Sequence, residues 1–429
     1  MNIRQRELGF LALVSIVIGS QLGSGMFVLP SEMAPFKLLG FFGWIVSVTG
    51  AISLALVFSD LSHELPKSGG PHVYVKEAFG HTAGFFTGWT YWLISWSSNS
   101  VLLVTIVNYL SVMTGKLSVS AILGIESLIL IVVTCVNFTG IRFSGKVETV
   151  LIFLKVVPLL VLPLIFFAYF DPSNLELSSL SESENVVSNI STTALLTFWG
   201  FIGVECATTP AGSVKNPKTT IPKALIVGTS CVALIYILNA VSIAGVVGFD
   251  NLANVSAPYS IAVKNIFGSY SNIFVSILAI TVCIGTLNSW TLTGGQIAYG
   301  ASLDGLFPKM FGRVNRFGAP VITLAISCIG SLPFLVLEQL EHGGLDKLIN
   351  ILVSVFLYVY IICCVAYLRL LNRWNRTARE KLKGRILAGF AIAFCIFVLL
   401  PSITESILAL LVFIIVGFPV FLKIKRADT

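Results

Sequence analysis

Two glycine-rich segments and a few charged side chains inside apolar runs are where this chain could do chemistry. The first segment reads Ile18-Gly19-Ser20-Gln21-Leu22-Gly23-Ser24-Gly25-Met26-Phe27; positions 19–25 hold three glycines, two serines and a glutamine. The second reads Phe198-Trp199-Gly200-Phe201-Ile202-Gly203-Val204-Glu205. Such compositions suit no lipid-facing helix, and backbone that leaves the helix at membrane depth is tolerated only inside protein or beside a polar cavity. A break is therefore expected in both. Freed N–H groups at Ser24, Gly25 and Met26 would favour an anion such as a carboxylate. Freed carbonyls near Gln21, Trp199 and Ile202 would favour an ammonium. A zwitterionic α-amino acid presents both charges on one carbon. The plainer reading of the first segment is close helix packing through small residues.

Glu205, Glu126 and Lys155 are the clear charges within the apolar runs. A central charge costs roughly 2.5–3.5 kcal/mol on insertion scales, so each should face a cavity or pair. Glu205 follows the second break directly; its plainer role is a structural carboxylate bonded to neighbouring hydroxyls. Lys155 lies eight residues past Val147, about 12 Å into its span at 1.5 Å per residue, with snorkelling to the headgroups as the simpler alternative. Glu126, near the outer end of its span, reads as interfacial and is given no role.

The elements that must hold these residues follow from composition. Of 429 residues, 56% are hydrophobic and 11% charged, against about 25% charged in soluble domains; mean hydropathy is +0.92. This excludes a soluble enzyme, a disordered chain, a coiled coil and a small disulfide scaffold. Apolar runs near 10–32, 38–59, 82–112, 119–139, 148–169, 192–212, 222–248, 270–300, 320–337, 346–368, 386–402 and 404–422 predict an all-α polytopic membrane protein with 12 transmembrane helices. The first run leads straight into more spans, unlike a cleavable leader.

Loops sharing a side with the termini hold 22 of the 27 Lys and Arg; the opposite loops hold Lys37, Lys116, Lys264 and Lys347. That asymmetry places both termini in the cytoplasm. The acidic, Ser-rich stretch 170–190 is then external. The net charge of +7 is spread over short loops and forms no nucleic-acid patch. The run Arg373–Arg385 reads as a topology anchor, with anionic lipid contact second. Trp92 and Trp96, one turn apart, read as packing. The eight cysteines lie in apolar runs as packing residues, and the four histidines lie in loops without a ligand pair, so no metal or other cofactor is expected. Asn189-Ile-Ser and Asn254-Val-Ser fit a glycosylation pattern on external loops, a pattern common by chance.

Two interrupted spans five helices apart imply an inverted repeat, about 8–170 and 190–370, with extra helices about 386–422, all in one domain over 1–429 and with a site near the bilayer midplane. The motifs GSQLGSGMFVLP (19–30), SGGPHVYVKEAFG (68–80), WGFIGVECA (199–207), VKNPKTTIP (214–222) and LDGLFPKMFGRVNRFGAPV (303–321) resemble the amino acid–polyamine–organocation superfamily, and within it the arginine–agmatine antiporters, as far as about Tyr360. The resemblance implies a LeuT-like 5+5 fold with helices 1 and 6 broken, alternating access, and a homodimer. It implies Ser24 and Gly25 as carboxylate binders and the carbonyls at Gln21, Trp199 and Ile202 as α-amino acceptors. Trp290 would stack on the substrate cation, a contact of about 0.5–2 kcal/mol, with Asn99 and Ser95 as side-chain contacts. Tyr91, Glu205 and Tyr360 would form an inner gate with the glutamate as proton sensor. Lys155 resembles the lysine of proton-coupled, sodium-independent relatives, where the ammonium sits against span 1 carbonyls. Gln21 stands where the antiporters have an apolar residue, Ser95 replaces a cysteine and Leu352 a serine. A pocket that stacks a cation but reads its tail differently would fit lysine, ornithine or a polyamine.

The expected function is secondary transport across a bacterial inner membrane, exchanging a cationic amino acid for a related amine. A proton-coupled importer of small or neutral amino acids is the alternative, favoured by Lys155 and Gln21. No HExxH or Ser–His pair lies inside the spans, so an enzyme is not expected. No GxxxxGK[ST] loop occurs for nucleotide-driven transport. Broken spans suit an occluding site better than a channel's open pore.

Overall fold

The computed structural model describes residues 8–175, 185–253, 255–268, 271–340 and 345–428. Glu176, Glu182 and Glu184 of the acidic, Ser-rich stretch, Asn254, His342, Arg4 and Arg6 lie outside those residues. The apolar runs fold as helices because a backbone in lipid must satisfy its own hydrogen bonds. In order these are α1 (Phe10–Gln21), α2 (Ser24–Met33), α3 (Leu39–Glu64), α4 (Pro71–Phe79), α5 (His81–Ser97), α6 (Asn99–Thr114), α7 (Val119–Asn137), α8 (Ile141–Ala168), α9 (Val186–Phe198), α10 (Pro217–Val247), α11 (Phe249–Leu252), α12 (Pro258–Phe267), α13 (Ser271–Leu303), α14 (Val321–Leu340), α15 (Leu345–Arg373), α16 (Ala378–Leu399) and α17 (Ile403–Asp428). The β structure among the described residues is an isolated bridge, Leu8 to Val214.

Ten stretches of the described residues are long and apolar enough to cross a bilayer, where the sequence suggested twelve. The difference has two sources. Val321–Leu337 is the apolar part of α14 and is counted apart from the ten, and Ala378–Lys425 forms one stretch that contains α16 and α17 joined by a 3₁₀ turn, Leu400–Ser402.

The helices depart from the expected runs in three ways. The third run divides into α5 and α6 at Ser98. There Ser97, Ser98 and Ser100 turn their hydroxyls onto carbonyls three or four residues back, a bonding pattern that bends helices. The sixth run is helical only from Val186 to Phe198 and continues as short 3₁₀ turns to Ser213. Asn189, expected in a loop, lies in α9. Two further short helices, α4 and α12, were not evident as runs. Both carry Pro at the start and a positive-φ glycine after the end, Gly80 and Gly268, the usual stop-start asymmetry. His72 and His81, expected in loops, thus sit on α4 and α5.

α1 lies at the centre, against α8, α10 and α13, while α3 packs on α9, α10 and α16. Small residues permit the α3 contacts: a Cβ at Gly50 would stand 2.3 Å from the Phe394 ring of α16. Trp92 and Trp96 pack as expected, each edge-on to neighbouring rings such as Phe307 and Phe334.

Candidate functional site

α1 stops at Gln21 and α2 restarts at Ser24, with Leu22 and Gly23 between them out of helical conformation. A helix that starts at Ser24 leaves its first N–H groups without intrahelical acceptors, and one that ends at Gln21 leaves carbonyls over. Opposite, the helical path ends at Phe198. Trp199–Phe201 form a 3₁₀ turn, Ile202 is extended, and Gly203 adopts φ +103°. Only glycine serves there: the φ is unfavourable for other residues, and a Cβ would fall 2.7 Å from Ser20 Oγ. The two interrupted segments touch at this point, where Ser20 Oγ donates to Gly203 O at 3.3 Å.

Between them lies a small cavity lined by Ser20, Gln21, Gly23, Ser24, Gly25, Ser98, Leu102, Trp199, Ile202, Thr286 and Trp290. Six of the eight expected binding residues therefore share one cavity: Gln21, Ser24, Gly25, Trp199, Ile202 and Trp290. Ser95 and Asn99 do not line it. Ser95 is turned onto Trp92 O and packs near Gly294 of α13. Asn99 is buried, with its Oδ1 unpaired among the described residues. The bend at Ser98 brings Ser98 and Leu102 to the wall instead. Trp199 Nε1 donates to Ser24 Oγ at 3.0 Å, and Trp290 Nε1 to Ser20 O at 3.1 Å. A second, mostly apolar cavity shares Gly25 and extends along α2, α3 and α10 to Lys37.

Glu205 is fully buried. Tyr360 of α15 donates to one carboxylate oxygen at 2.6 Å, and Tyr91 of α5 donates to the other. Gly203 N–H also reaches Tyr360 Oη at 3.4 Å. Three residues far apart in sequence thus meet beside the second break. Lys155 of α8 is fully buried too. Its ammonium donates to Gly19 O at 2.8 Å, Thr286 Oγ1 at 3.3 Å and Leu22 O at 3.5 Å. A cation at the C-terminal end of a helix complements the dipole there, so Lys155 caps α1 and does not snorkel. Glu126, expected at the interface, is buried on α7.

The sequence reading did not single out Tyr236, Thr229 or Thr286. Tyr236 donates to Gln21 O at 3.0 Å, Gln21 Nε2 to Thr229 Oγ1 at 3.3 Å, and Thr286 to Leu22 O at 2.5 Å. No local signal marks them. Tyr236 and Thr229 lie on α10 and Thr286 on α13, and they reach the end of α1 only through tertiary packing.

The sequence profile described as amino acid permease matches residues 8–423. The cadaverine/lysine antiporter of Escherichia coli strain K12 is 30% identical over 376 residues, covering 85% of this chain and 84% of that protein. The putrescine transporter PotE of the same strain is 27% identical over 367 residues, with 85% and 83% covered. PotE of Haemophilus influenzae is 26% identical over 394 residues, with 91% and 90% covered.

Proposed function

The chain belongs to the amino acid permease family of the amino acid–polyamine–organocation superfamily, an integral multi-pass membrane protein, and on that footing we propose that it exchanges a cationic amino acid for a related amine across a bacterial inner membrane. The reading rests on one observation: two interrupted segments, α1–α2 and α9 with its 3₁₀ continuation, enclose a cavity that offers helix-start N–H groups at Ser24 and Gly25 and the Trp290 ring. The relatives, antiporters and transporters of lysine, cadaverine or putrescine by name, support amine cargo and favour lysine and diamines over arginine and agmatine.

In this proposal twelve spans form a LeuT-like five-plus-five inverted repeat, 8–170 and 190–370, with α16 and α17 outside it. Ser24 and Gly25 take the carboxylate, Trp199, Ile202 and Trp290 surround the body of the substrate, and Ser95 and Asn99 approach only on closure. Tyr91, Glu205 and Tyr360 form the gate, and Glu205 is the group through which protons act. Lys155 supports a second reading, proton-coupled uptake without sodium, because its ammonium already fills the α1 break.

Counterflow in liposomes carrying the full chain tests this. Labelled lysine should enter only vesicles loaded with lysine, cadaverine or putrescine, and unlabelled cationic amino acids and amines should compete. Uptake into empty vesicles driven by a pH gradient alone supports the second reading. Competition by neutral amino acids alone overturns the cationic assignment.

A further inference from the structure

The end of α1 was expected to offer bare carbonyls to an ammonium, and in the structure those carbonyls hold protein donors. Ile18 O accepts the Leu22 N–H, Gly19 O the Lys155 ammonium, Ser20 O the Trp290 indole, Gln21 O the Tyr236 hydroxyl and Leu22 O the Thr286 hydroxyl. The hydroxyls on the cavity wall are engaged as well. Ser20 and Ser98 donate to nearby carbonyls and Ser24 Oγ accepts from Trp199. Among the side chains of the residues that line the cavity, one oxygen stands apart. Gln21 is 3% exposed, its Nε2 is anchored on Thr229, and its Oε1 has no hydrogen-bond partner among the described residues.

A buried carbonyl oxygen without a donor is costly, and native structures seldom keep one without a reason. An acceptor asks for a donor. A carboxylate brings none, whereas a primary ammonium brings three. We propose that the Gln21 side-chain oxygen, held in place by Thr229, is an ammonium acceptor of this cavity and the residue that lets it hold an amine with or without a carboxylate. This deepens the transport reading and rests on it. A site that depends on Ser24 and Gly25 alone grips the carboxylate and loses a diamine. With Gln21, the ammonium that lysine and cadaverine share has its own partner, and the carboxylate becomes an addition.

Binding of labelled lysine and cadaverine to the purified full-length protein in detergent tests the proposal, with thermal melting as a check on folding. Gln21→Met keeps the length and apolar packing but removes the acceptor. It should weaken both ligands about tenfold or more, the scale of a hydrogen bond to a charged group. Gln21→Glu restores an acceptor and should bind both at least as well as wild type. Thr229→Val removes only the anchor and should cost under threefold. The proposal falls if Gln21→Met stays within twofold of wild type, if Gln21→Glu is as weak as Gln21→Met, or if Thr229→Val reproduces the full loss, which would make the pair a structural contact. Every α-amino acid carries the same ammonium. Should wild type take neutral amino acids and refuse lysine and cadaverine, the transport reading fails, and the same variants assayed with the ligand that binds still decide the role of Gln21.

Discussion

A lysine with no exposed surface inside a membrane helix must find acceptors, because an unpaired buried ammonium costs several kcal/mol. Lys155 finds them in Gly19 O, Leu22 O and Thr286 Oγ1, and so lies against the α1 break. Removing it leaves those carbonyls short of donors in a buried site. Lys155→Ala is expected to lower uptake into loaded liposomes at least tenfold at neutral pH, or to make uptake depend on sodium as a replacement cation. Full uptake with no sodium response would remove Lys155 from the mechanism. Much of this residue-scale chemistry was legible. Glu205 and Lys155 stood out because charge inside an apolar run is expensive, and Trp290 stood out only through the resemblance. Ser95 and Asn99, one turn apart and named only through the resemblance, lie outside the cavity lining. The serine-induced bend at Ser98 rotates the wall, and a bend of that kind depends on which carbonyls the hydroxyls choose.

At the scale of elements, α4 shows what hydropathy alone overlooks. A nine-residue amphipathic helix is too short to persist by itself; it exists because α5 and α15 pack against it. That packing buries His72 completely, and neither ring nitrogen has a hydrogen-bond partner among the described residues. Burial, with the Lys76 charge second, lowers the His72 pKa from 6.5 to about 3. Asp304 stands 3.7 Å from Nε2 with its side chain about a third exposed, too distant and too hydrated to offset that burial. The ring is thus neutral in the folded protein, while the unfolded chain takes up a proton near pH 6.5. Stability from this residue is full above pH 6.5 and declines as pH falls toward 3, by at most about 1.4 kcal/mol per pH unit. Melting temperatures in detergent from pH 7.5 to 4.5 should therefore fall less steeply in His72→Gln than in wild type. Parallel slopes would show that His72 does not carry the effect.

For the whole molecule, the charge asymmetry of the loops is the property of the chain that bears on its orientation in the bilayer. A fluorescent protein fused after Thr429 should fluoresce, and alkaline phosphatase inserted after Asp171 should be active, if both termini face the cytoplasm. The reverse pattern inverts the topology. The same cationic run that argues for this orientation also has a structural task that its charge did not announce. Arg376 donates to Asp60 at 2.5 and 2.7 Å and to Glu64 at 2.9 Å, its guanidinium lies 4.9 Å from the Trp374 ring centre, and Tyr367 donates to Asp60 at 2.6 Å. The end of α3 is thereby tied to the linker between α15 and α16. By itself the sequence determined that the chain is helical and spans a membrane, and where α1 and the sixth run give way, because hydropathy and glycine content act within a few residues of where they are written. Only the tertiary structure decided what fills those breaks. The donors to the α1 carbonyls come from 136 residues away for Lys155, 215 for Tyr236 and 270 for Trp290. Which distant side chains converge, and that Gln21 Oε1 is left without a donor, follows from packing that brings the ends of the chain's contacts together, and no local pattern encodes it.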